Sequence, residues 1–572
     1  MADASADTHA LIERVERLAQ LAVRTWAAVA ARERAFGSDP DAPPDPAEPP
    51  GARARARALL EHATGYLEPR ARDLDAPLLV VLLGPTGSGK SSLANTLAGG
   101  RVSEPGVLRP TTREAVVIAT PADAQRLLDP DAPLSSLRRE RLRVTETGAR
   151  QGLVLVDAPD IDSVEHDNRA LADALLERAD LCLFVTTATR YADRVPWDVL
   201  GRVAERGLPL VVVVNRMPPD PADQERVLAD TRRLLEGASV DAERILGVAE
   251  GDLTPDGSAI TAAAVLPLIE RLDALAADRD ARRALAAQAL EGAVAGTAPL
   301  CASVATDLEA MAEDAHRLRT IAATDHAQEL TLLLERVADG SVLRGEVIAR
   351  WHSFVGADQV TRWFSSGVGR IRAAIGTILR GAPVAPVAAV EQGVTEGIAA
   401  LSVAAASDAA RRTASHWSAD ADGVRIVASH PELWSATGDL AERATLTLHE
   451  WMAGIAADVA ATGATKRGVA RGLSLGVNAG AVTVMLGAFM ATGGVTGAEV
   501  GIAAATAFLN QKLMNALFGE AAVQEMIEHA REDLAERLRG LMDGERARFD
   551  RLVADRAVLR DLADELRGVG RA

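Results

Sequence analysis

A glycine-rich loop between an apolar stretch and a helix constrains the fold of this chain more than any other sequence feature. The loop Gly84–Ser91 reads Gly-Pro-Thr-Gly-Ser-Gly-Lys-Ser and matches the pattern G-x-x-x-x-G-K-[ST], which wraps nucleotide phosphates. The apolar run Leu78–Leu83 before it predicts a parallel strand buried on both faces. The residues 91–98 after it predict a helix with Leu93 and Leu97 on one face. This order of strand, loop and helix predicts an α/β domain with a nucleotide site.

The residue types in the loop suit phosphate binding. Lysine occurs only three times in the chain, and Lys90 has a compact ammonium that fits where a planar guanidinium is too wide. Gly84, Gly87 and Gly89 let backbone N–H groups turn toward phosphates, and the helix N-terminus adds partial positive charge. The Ser91 hydroxyl is placed to bind Mg²⁺. We therefore expect the nucleotide to be bound by Gly84, Thr86, Gly87, Ser88, Gly89, Lys90, Ser91 and Ser92.

Length and charge restrict the class of protein further. A chain of 572 residues is expected to form two or more domains. The net charge of −18 argues against a nucleic-acid partner, which requires a basic face. The two cysteines, Cys182 and Cys301, provide no disulfide framework, and residues 1–10 are polar and acidic, unlike a signal peptide. These features predict a cytoplasmic protein.

The pattern of apolar segments predicts three regions. Residues 1–75 are expected to form N-terminal helices at 8–35 and 52–74, separated by a loop rich in proline at 37–51. In 76–275, strands alternate with helices, which predicts a mostly parallel sheet. From 276 to 572 the pattern indicates long alanine-rich helices. The predicted strands are Leu78–Leu83, Val116–Ala119, Leu153–Val156, Leu181–Thr186 and Leu210–Val214.

Three further polar positions complete a predicted nucleotide site. Asp157 follows a buried strand and is expected to lie beside the metal. Thr112 lies in a polar loop between the two motifs, where a threonine can close over the γ-phosphate and Mg²⁺ and then release. Asn215 ends the strand Leu210–Val214 and is positioned to face a purine base.

These residues, in this order, resemble the GTPases and, more closely, the bacterial dynamin-like proteins, with similarity to an actinobacterial branch of that group. The motifs span about 77–220: the phosphate loop, Thr112 before Arg113, Asp157-Ala158-Pro159, and Asn215-Arg216. The resemblance implies an α/β GTPase (P-loop NTPase) domain with a long, mainly α-helical stalk or bundle formed by N- and C-terminal segments. It also implies GTP and Mg²⁺ as cofactors. The implied catalytic residues are Lys90, Thr112 and Asp157; the metal ligands are Ser91, Thr112 and Asp157; the base contacts are Asn215 and Arg216.

The chain departs from the family pattern at several positions. Asp160 replaces a glycine whose N–H contacts the γ-phosphate, which is expected to loosen triphosphate binding or to alter the switch. Pro218 replaces the base-reading aspartate, which puts selectivity for GTP over ATP in question; Asp220 or Asp223 would substitute only if the loop folded back. Ile161 stands where some GTPases have a catalytic glutamine. Thr86 and Gly87 fill the loop positions where dynamin-like proteins place a catalytic polar group, and we expect slow hydrolysis stimulated by dimerisation.

A long apolar run in the helical region raises the question of a membrane. The 27 residues Gly472–Ala498 carry no charge, and apolar character resumes after Glu499 and stops at Lys512. A run of this length can enter a bilayer, with basic residues on its cytoplasmic flank, but its glycines suit buried trunk helices equally. The sequence thus leaves both a membrane hairpin at 472–511 and a trunk core open. The basic, aromatic segment 343–380 is similarly either a lipid-facing amphipathic stretch or a trunk helix.

The sequence as a whole predicts a dynamin-like GTP-binding protein that hydrolyses GTP to drive conformational change at the inner face of the cell membrane, bound peripherally or through the hairpin. The expected role is membrane remodelling, tethering or a function at the septum. Membrane lipid and a homo- or hetero-oligomeric dynamin-like chain are the expected partners beside guanine nucleotide. Two alternatives are a non-hydrolysing, nucleotide-gated scaffold and a P-loop ATPase.

Overall fold

A computed structural model describes residues 2–43, 50–104, 115–128, 141–162, 166–338, 387–465 and 519–571. The strands in these ranges are β1 (Leu78–Leu83), β2 (Ala115–Ile118), β3 (Leu142–Thr145), β4 (Leu153–Asp157), β5 (Leu181–Thr187), β6 (Leu210–Met217) and β7 (Arg244–Ala249). The α-helices there are α1 (Ala2–Ala35), α2 (Ala52–His62), α3 (Glu68–Arg72), α4 (Lys90–Ala98), α5 (Pro121–Leu128), α6 (His166–Leu176), α7 (Arg194–Glu205), α8 (Pro221–Gly237), α9 (Leu266–Ala277), α10 (Arg279–Gly296), α11 (Ala298–Ala338), α12 (Val387–Ser418), α13 (Gly423–Ser429), α14 (Leu440–Thr465), α15 (Glu520–Asp550) and α16 (Arg556–Arg571).

The strands form one sheet in the order β3-β2-β4-β1-β5-β6-β7. All neighbouring pairs are parallel except β2 and β4, which are antiparallel. The central strand β1 is buried along its whole length, as expected for an apolar strand covered by helices on both faces. The predicted mostly parallel sheet is confirmed. β2 and β3 are parallel to each other and run in the opposite direction to the other five strands.

Two strands were not predicted from the sequence. β3 has the sequence Leu-Arg-Val-Thr and lies at the edge of the sheet, where its side chains are largely exposed and carry no apolar run. β7 contains Gly247 and starts with Arg244, which breaks the apolar pattern. Both strands pair with an apolar neighbour, so the pairing rather than their own composition holds them in the sheet.

Parallel pairing brings polar residues to one edge of the sheet. Leu82 in β1 lies opposite Asp157 in β4, and Thr187 in β5 lies opposite Asn215 in β6. Because β1, β4, β5 and β6 run in the same direction, their carboxyl ends share an edge, which is where open α/β sheets bind ligands. The loop Gly84–Ser91 leaves β1 at this edge.

The chain divides into two compact units, each assembled from separate stretches of sequence. The first comprises 1–31, 40–311 and 557–572, and its core packs helices against the sheet. The second comprises 32–39 and 312–556. Its core joins apolar residues of α11, α12, α14 and α15, and the buried Trp451 donates its indole N–H to the Ala530 carbonyl at 2.9 Å. The predicted fold class, an α/β domain with long, mainly helical segments, is confirmed.

The helices before the sheet differ in detail from their predicted bounds. α1 begins at Ala2 rather than at residue 8, because the prediction followed the apolar stripe, whereas the alanine-rich start also favours a helix. The predicted helix 52–74 ends at Arg72 and is interrupted by a π-helical turn at Ala63–Leu67. Both cysteines are buried and free.

Some predicted segments lie outside the described residues: the hairpin at 472–511, the basic segment 343–380 and part of the loop 37–51. Of the helices that the structure does describe, none has the length and apolar character needed to cross a membrane.

Candidate nucleotide site

The phosphate loop has a backbone that only glycine tolerates at key positions. Gly84, Gly87 and Gly89 have φ values of 153°, 74° and 100°, in the region that side chains disfavour. A Cβ atom at Gly84 would come within 2.0 Å of the Val185 carbonyl oxygen. A Cβ atom at Gly89 would come within 2.1 Å of Nδ2 of Asn215. The glycine pattern therefore reflects close packing of the loop against the ends of β5 and β6.

Lys90 is the first residue of α4, and its side chain is almost fully buried, with 5% exposed. Its Nζ donates to the carbonyl oxygens of Gly84 at 2.8 Å and Pro85 at 3.2 Å. It also forms an ion pair with Oδ1 of Asp160 at 2.5 Å. A lysine ammonium has three N–H donors, so all of them are engaged. Asp160 is thus the counter-ion of Lys90 in this state.

Asp157, at the end of β4, is 1% exposed and accepts hydrogen bonds from two hydroxyl groups. Ser91 Oγ donates to its Oδ2 at 2.9 Å, and Ser103 Oγ donates to the same atom at 2.8 Å. Its Oδ1 is buried and has no hydrogen-bond partner in the described part of the chain. Burial raises the pKa of Asp157, while Lys90 and the two hydroxyls act in the opposite direction.

This cluster fits Mg²⁺. Carboxylate and hydroxyl oxygens are the ligands that Mg²⁺ prefers, and a buried carboxylate oxygen without a partner is stabilised by a cation. Ser91 and Asp157 would hold the ion directly or through water, and a bound Mg²⁺ would neutralise charge on nucleotide phosphates.

A second carboxylate from the segment after β4 contacts the phosphate loop. Asp162 Oδ1 accepts from both the backbone N–H and the hydroxyl of Thr86, each at 2.7 Å. Arg190 joins the two partners: it donates to Asp162 Oδ2 at 3.1 Å and to the Thr86 carbonyl at 3.1 Å. Burial opposes ionisation of Asp162, but the bonds from Thr86 and Arg190 outweigh it and lower the pKa of that carboxyl.

Asn215 connects the end of β6 to the phosphate loop. Its Nδ2 donates to the Ser88 carbonyl at 2.9 Å, and its Oδ1 accepts from the N–H of Arg216 at 2.8 Å. Arg216 has a φ of 54° and an exposed side chain. The role of both residues toward a base stays a prediction.

The loop after β7 and the segment after α4 are both fixed by Asn95. This buried side chain donates to the carbonyl oxygens of Ser103 at 2.9 Å and Ser258 at 2.8 Å. Its Oδ1 accepts from the N–H groups of Val102 and Ser103, both at 2.8 Å. One side chain of the helix that starts at Lys90 therefore positions Ser103 beside Asp157.

The structure brings together most, but not all, of the predicted site residues. Lys90, Ser91 and Asp157 form one cluster, and Ser88 links the phosphate loop to Asn215. Ser92 is buried within α4, where its carbonyl oxygen lies 2.9 Å from the hydroxyl oxygen of Thr96. Thr112 lies outside the described residues, so its role stays a prediction.

Three contacting residues were not predicted: Ser103, Asp162 and Arg190. Asp162 lies only five residues after Asp157, so its nearness to the motif was the one available signal. Ser103 and Arg190 are placed by long-range packing, and the local sequence gives no sign of it. Ile161 is buried, and its N–H donates to the Gly84 carbonyl at 3.4 Å.

The segment that carries this site is similar in sequence to known GTPases. Residues 79–216 match a family model described as 50S ribosome-binding GTPase. GTPase Der of Synechococcus sp. (strain WH7803) is 25% identical over 178 residues, which is 31% of this chain and 35% of that protein. The tRNA modification GTPase MnmE of Bordetella avium (strain 197N) is 30% identical over 174 residues, which is 30% of this chain and 32% of that protein. The chain thus spans about a third of the length of these curated relatives.

Among solved structures, a chain of an oligomerised bacterial dynamin pair, described as sensing and tethering membranes over a long range, aligns with most of this chain. The alignment covers 96% of this chain and 94% of that one, with 11% identity and a TM-score of 0.32.

Proposed function

We propose that this chain is a dynamin-like GTPase that binds GTP with Mg²⁺, hydrolyses it slowly and couples the change of nucleotide state to an action at the inner face of the cell membrane. The observation that carries the nucleotide part is the cluster of Lys90, Ser91 and Asp157 at the carboxyl edge of the sheet. The match of 79–216 to a GTPase family model supports guanine nucleotide as the ligand.

Different side chains would bind the phosphates, the metal ion and the base. Once Lys90 is released from Asp160, its ammonium can bind the β- and γ-phosphates together with the loop amides. Ser91 and Asp157 would hold Mg²⁺, joined by Thr112 as the resemblance implies. Asn215 and Arg216 would contact the base.

Slow turnover follows from the position of Ile161. Its side chain is apolar and buried, so it cannot orient an attacking water in the way a polar side chain at that position would. The Thr86 hydroxyl, which lies in the phosphate loop, is engaged by Asp162. We therefore expect hydrolysis to be completed when a second dynamin-like chain packs across the nucleotide face.

A non-hydrolysing, nucleotide-gated scaffold is the second candidate function. The ion pair between Lys90 and Asp160 favours it, because the Asp160 carboxylate already binds the ammonium group that would contact a triphosphate. A P-loop ATPase is the third, and it rests on Pro218 in place of the base-reading carboxylate.

Nucleotide binding and phosphate release of the full chain test these functions together. We expect the wild type to bind GTP more tightly than ATP. Its rate of phosphate release per molecule should rise with protein concentration. Lys90→Ala should abolish both activities, whereas the control Arg101→Ala, which alters an exposed arginine just after α4, should leave them unchanged. Binding without phosphate release would favour the scaffold, a preference for ATP would favour the ATPase, and binding that survives Lys90→Ala would contradict the site.

A further inference from the structure

The residue that reads the base is missing from its expected position. Guanine presents two neighbouring donors, the N1–H and the exocyclic amino group, and a carboxylate accepts from both. In the motif Asn215-Arg216-Met217-Pro218, the last position is proline, which offers no side-chain acceptor. If the site is guanine-specific, as proposed above, another carboxylate must take this role.

Two acidic residues close to Pro218 in sequence, and one in the turn after β7, make local contacts. Asp220 caps α8, where its Oδ1 accepts from the Ala222 N–H at 2.9 Å. Asp223, in the first turn of the same helix, pairs with Arg226 at 3.0 Å. Asp252 accepts from the Ala249 N–H at 3.0 Å and so fixes the turn after β7. Each of these three carboxylates is thus oriented by a local bond.

Glu250 lies beside the gap that Pro218 leaves. It directly follows β7, whose last residue, Ala249, lies opposite Met217 in the sheet. The Glu250 N–H donates to the Met217 carbonyl at 3.1 Å, which places this residue next to Pro218 at the carboxyl edge. Its side chain is exposed and makes no hydrogen bond or ion pair with any residue that the structure describes.

The loop that carries Glu250 is held against the phosphate-binding elements. Asn95 binds the Ser258 carbonyl, and the Thr96 hydroxyl donates to the Ile260 carbonyl at 2.7 Å and accepts from the Ile260 N–H at 2.9 Å. Both Asn95 and Thr96 belong to α4, the helix that starts at Lys90. The loop after β7 therefore keeps a fixed position relative to the phosphate loop.

We propose that Glu250 is the carboxylate that recognises the base. Its two oxygens would accept from N1–H and the exocyclic amino group of guanine, in place of the carboxylate absent at Pro218. Adenine presents an acceptor at N1 and no amino group at C2, so it would be rejected. Xanthine carries a carbonyl at C2, which repels a carboxylate but accepts a hydrogen bond from an amide. The proposal rests on the proposed nucleotide-binding function.

Affinities of the full chain for GDP, IDP, XDP and ADP, measured by competition against a fluorescent nucleotide, test this assignment. We expect the wild type to bind GDP most tightly. Glu250→Gln should weaken GDP binding about tenfold or more, since charge-assisted hydrogen bonds are the strong ones, and should raise the affinity for XDP. The matched control is Glu236→Gln, an exposed glutamate at the end of α8, which precedes β7 as Glu250 follows it.

The outcomes separate this inference from the proposed function. A shift from GDP toward XDP in Glu250→Gln, absent from Glu236→Gln, would support it. Unchanged relative affinities in Glu250→Gln would overturn it while leaving the guanine-nucleotide site intact. A wild type that binds GDP and IDP equally would also overturn it, because no group would then read the exocyclic amino group. A wild type that binds no nucleotide would overturn the proposed function itself.

Discussion

At the scale of single residues, the phosphate loop is closed by carboxylates from its own chain. Asp160 takes one of the three donors of Lys90, and Asp162 takes the N–H of Thr86. A triphosphate brings its own negative charge to the same donors, so it must displace these carboxylates before it can bind. Hydrogen bonds to charged groups contribute about 1.5–3 kcal/mol each, enough to lower the affinity for a nucleotide by tenfold or more.

Removing the charge of Asp160 should therefore strengthen triphosphate binding. We expect Asp160→Asn to raise the affinity for GTP by about tenfold, because the amide keeps the shape of the side chain but competes poorly for an ammonium. Equilibrium titration with a fluorescent GTP analogue measures the effect. Asp198→Asn, on the exposed face of α7, is the control. An unchanged or reduced affinity would show that Asp160 assists phosphate binding instead of competing with it.

A buried ion pair ties α3 to the sheet. Arg70 and Asp180, whose side chains are 2% and 3% exposed, form two hydrogen bonds at 2.9 and 3.2 Å, and Asp180 also accepts from the Leu79 N–H at 2.8 Å. We expect Arg70→Ala to lower the free energy of unfolding by about 3–5 kcal/mol, because it leaves a buried carboxylate without its partner. Chemical denaturation followed by circular dichroism measures the loss.

The control for this pair is an exposed one of the same type. Arg126 and Asp73 contact at 2.5 Å with about half of each side chain exposed. Arg126→Ala should cost no more than about 1 kcal/mol, since water screens the pair. Equal losses in the two variants would contradict the assigned importance of burial.

At the scale of elements, the carboxyl edge of the sheet could be predicted, whereas the contacts that close the site could not. The apolar runs of β1, β4, β5 and β6 mark strands without ambiguity, and the residues after them, such as Asp157 and Asn215, follow from chain order. The antiparallel direction of β2 and the edge strand β3 depend on pairing between distant segments. Arg190 likewise reaches Thr86 from a position 104 residues away, a contact that only tertiary packing creates.

The last residue of α2, just before the π-helical turn, is a histidine with an unusual pKa. Burial, reinforced by the nearby Arg206 and Arg178, lowers the pKa of His62 from 6.5 to about 4. Its ring lies 5.6 Å from that of the buried Tyr66. The folded chain therefore keeps His62 neutral at a pH at which the unfolded chain protonates it.

This shift predicts a loss of stability in acid. Between pH 6.5 and 4 the unfolded state binds up to one more proton at His62 than the folded state. The contribution of His62 to the free energy of unfolding is therefore fully present above pH 6.5. It declines by up to about 1.4 kcal/mol per pH unit as the pH falls toward 4. Thermal unfolding of His62→Gln should depend less steeply on pH in this window than that of the wild type. His9→Gln, which alters an exposed histidine, should retain the wild-type slope; an identical slope in both variants would contradict the prediction.

At the scale of the whole molecule, neither compact unit is continuous in sequence. The unit that contains the phosphate loop includes the first helix to residue 31 and the C-terminal residues 557–572. Within it, Arg24 in α1 pairs with Glu565 in α16 at 3.3 Å, and Arg567 in α16 pairs with Glu309 in α11 at 2.5 Å. Both ends of the chain are therefore part of the unit that contains the phosphate loop, although most of the helical region belongs to the other unit.

Membrane association is the last property to test, and it concerns the apolar run 472–511. We expect the full chain to float with liposomes that contain anionic lipid, because the run is long enough to enter a bilayer and Lys466, Arg467 and Arg471 precede it. A variant that lacks 472–511 should stay in the soluble fraction while it still binds GTP as the wild type does.

Arg467→Ala with Arg471→Ala should weaken flotation at low salt without abolishing it, since only the electrostatic part of lipid binding is removed. If the full chain and the deletion variant both remain soluble, the run belongs to a protein core and the action at a membrane is wrong. If both float equally, lipid binding resides elsewhere, and the basic segment 343–380 becomes the region to delete next.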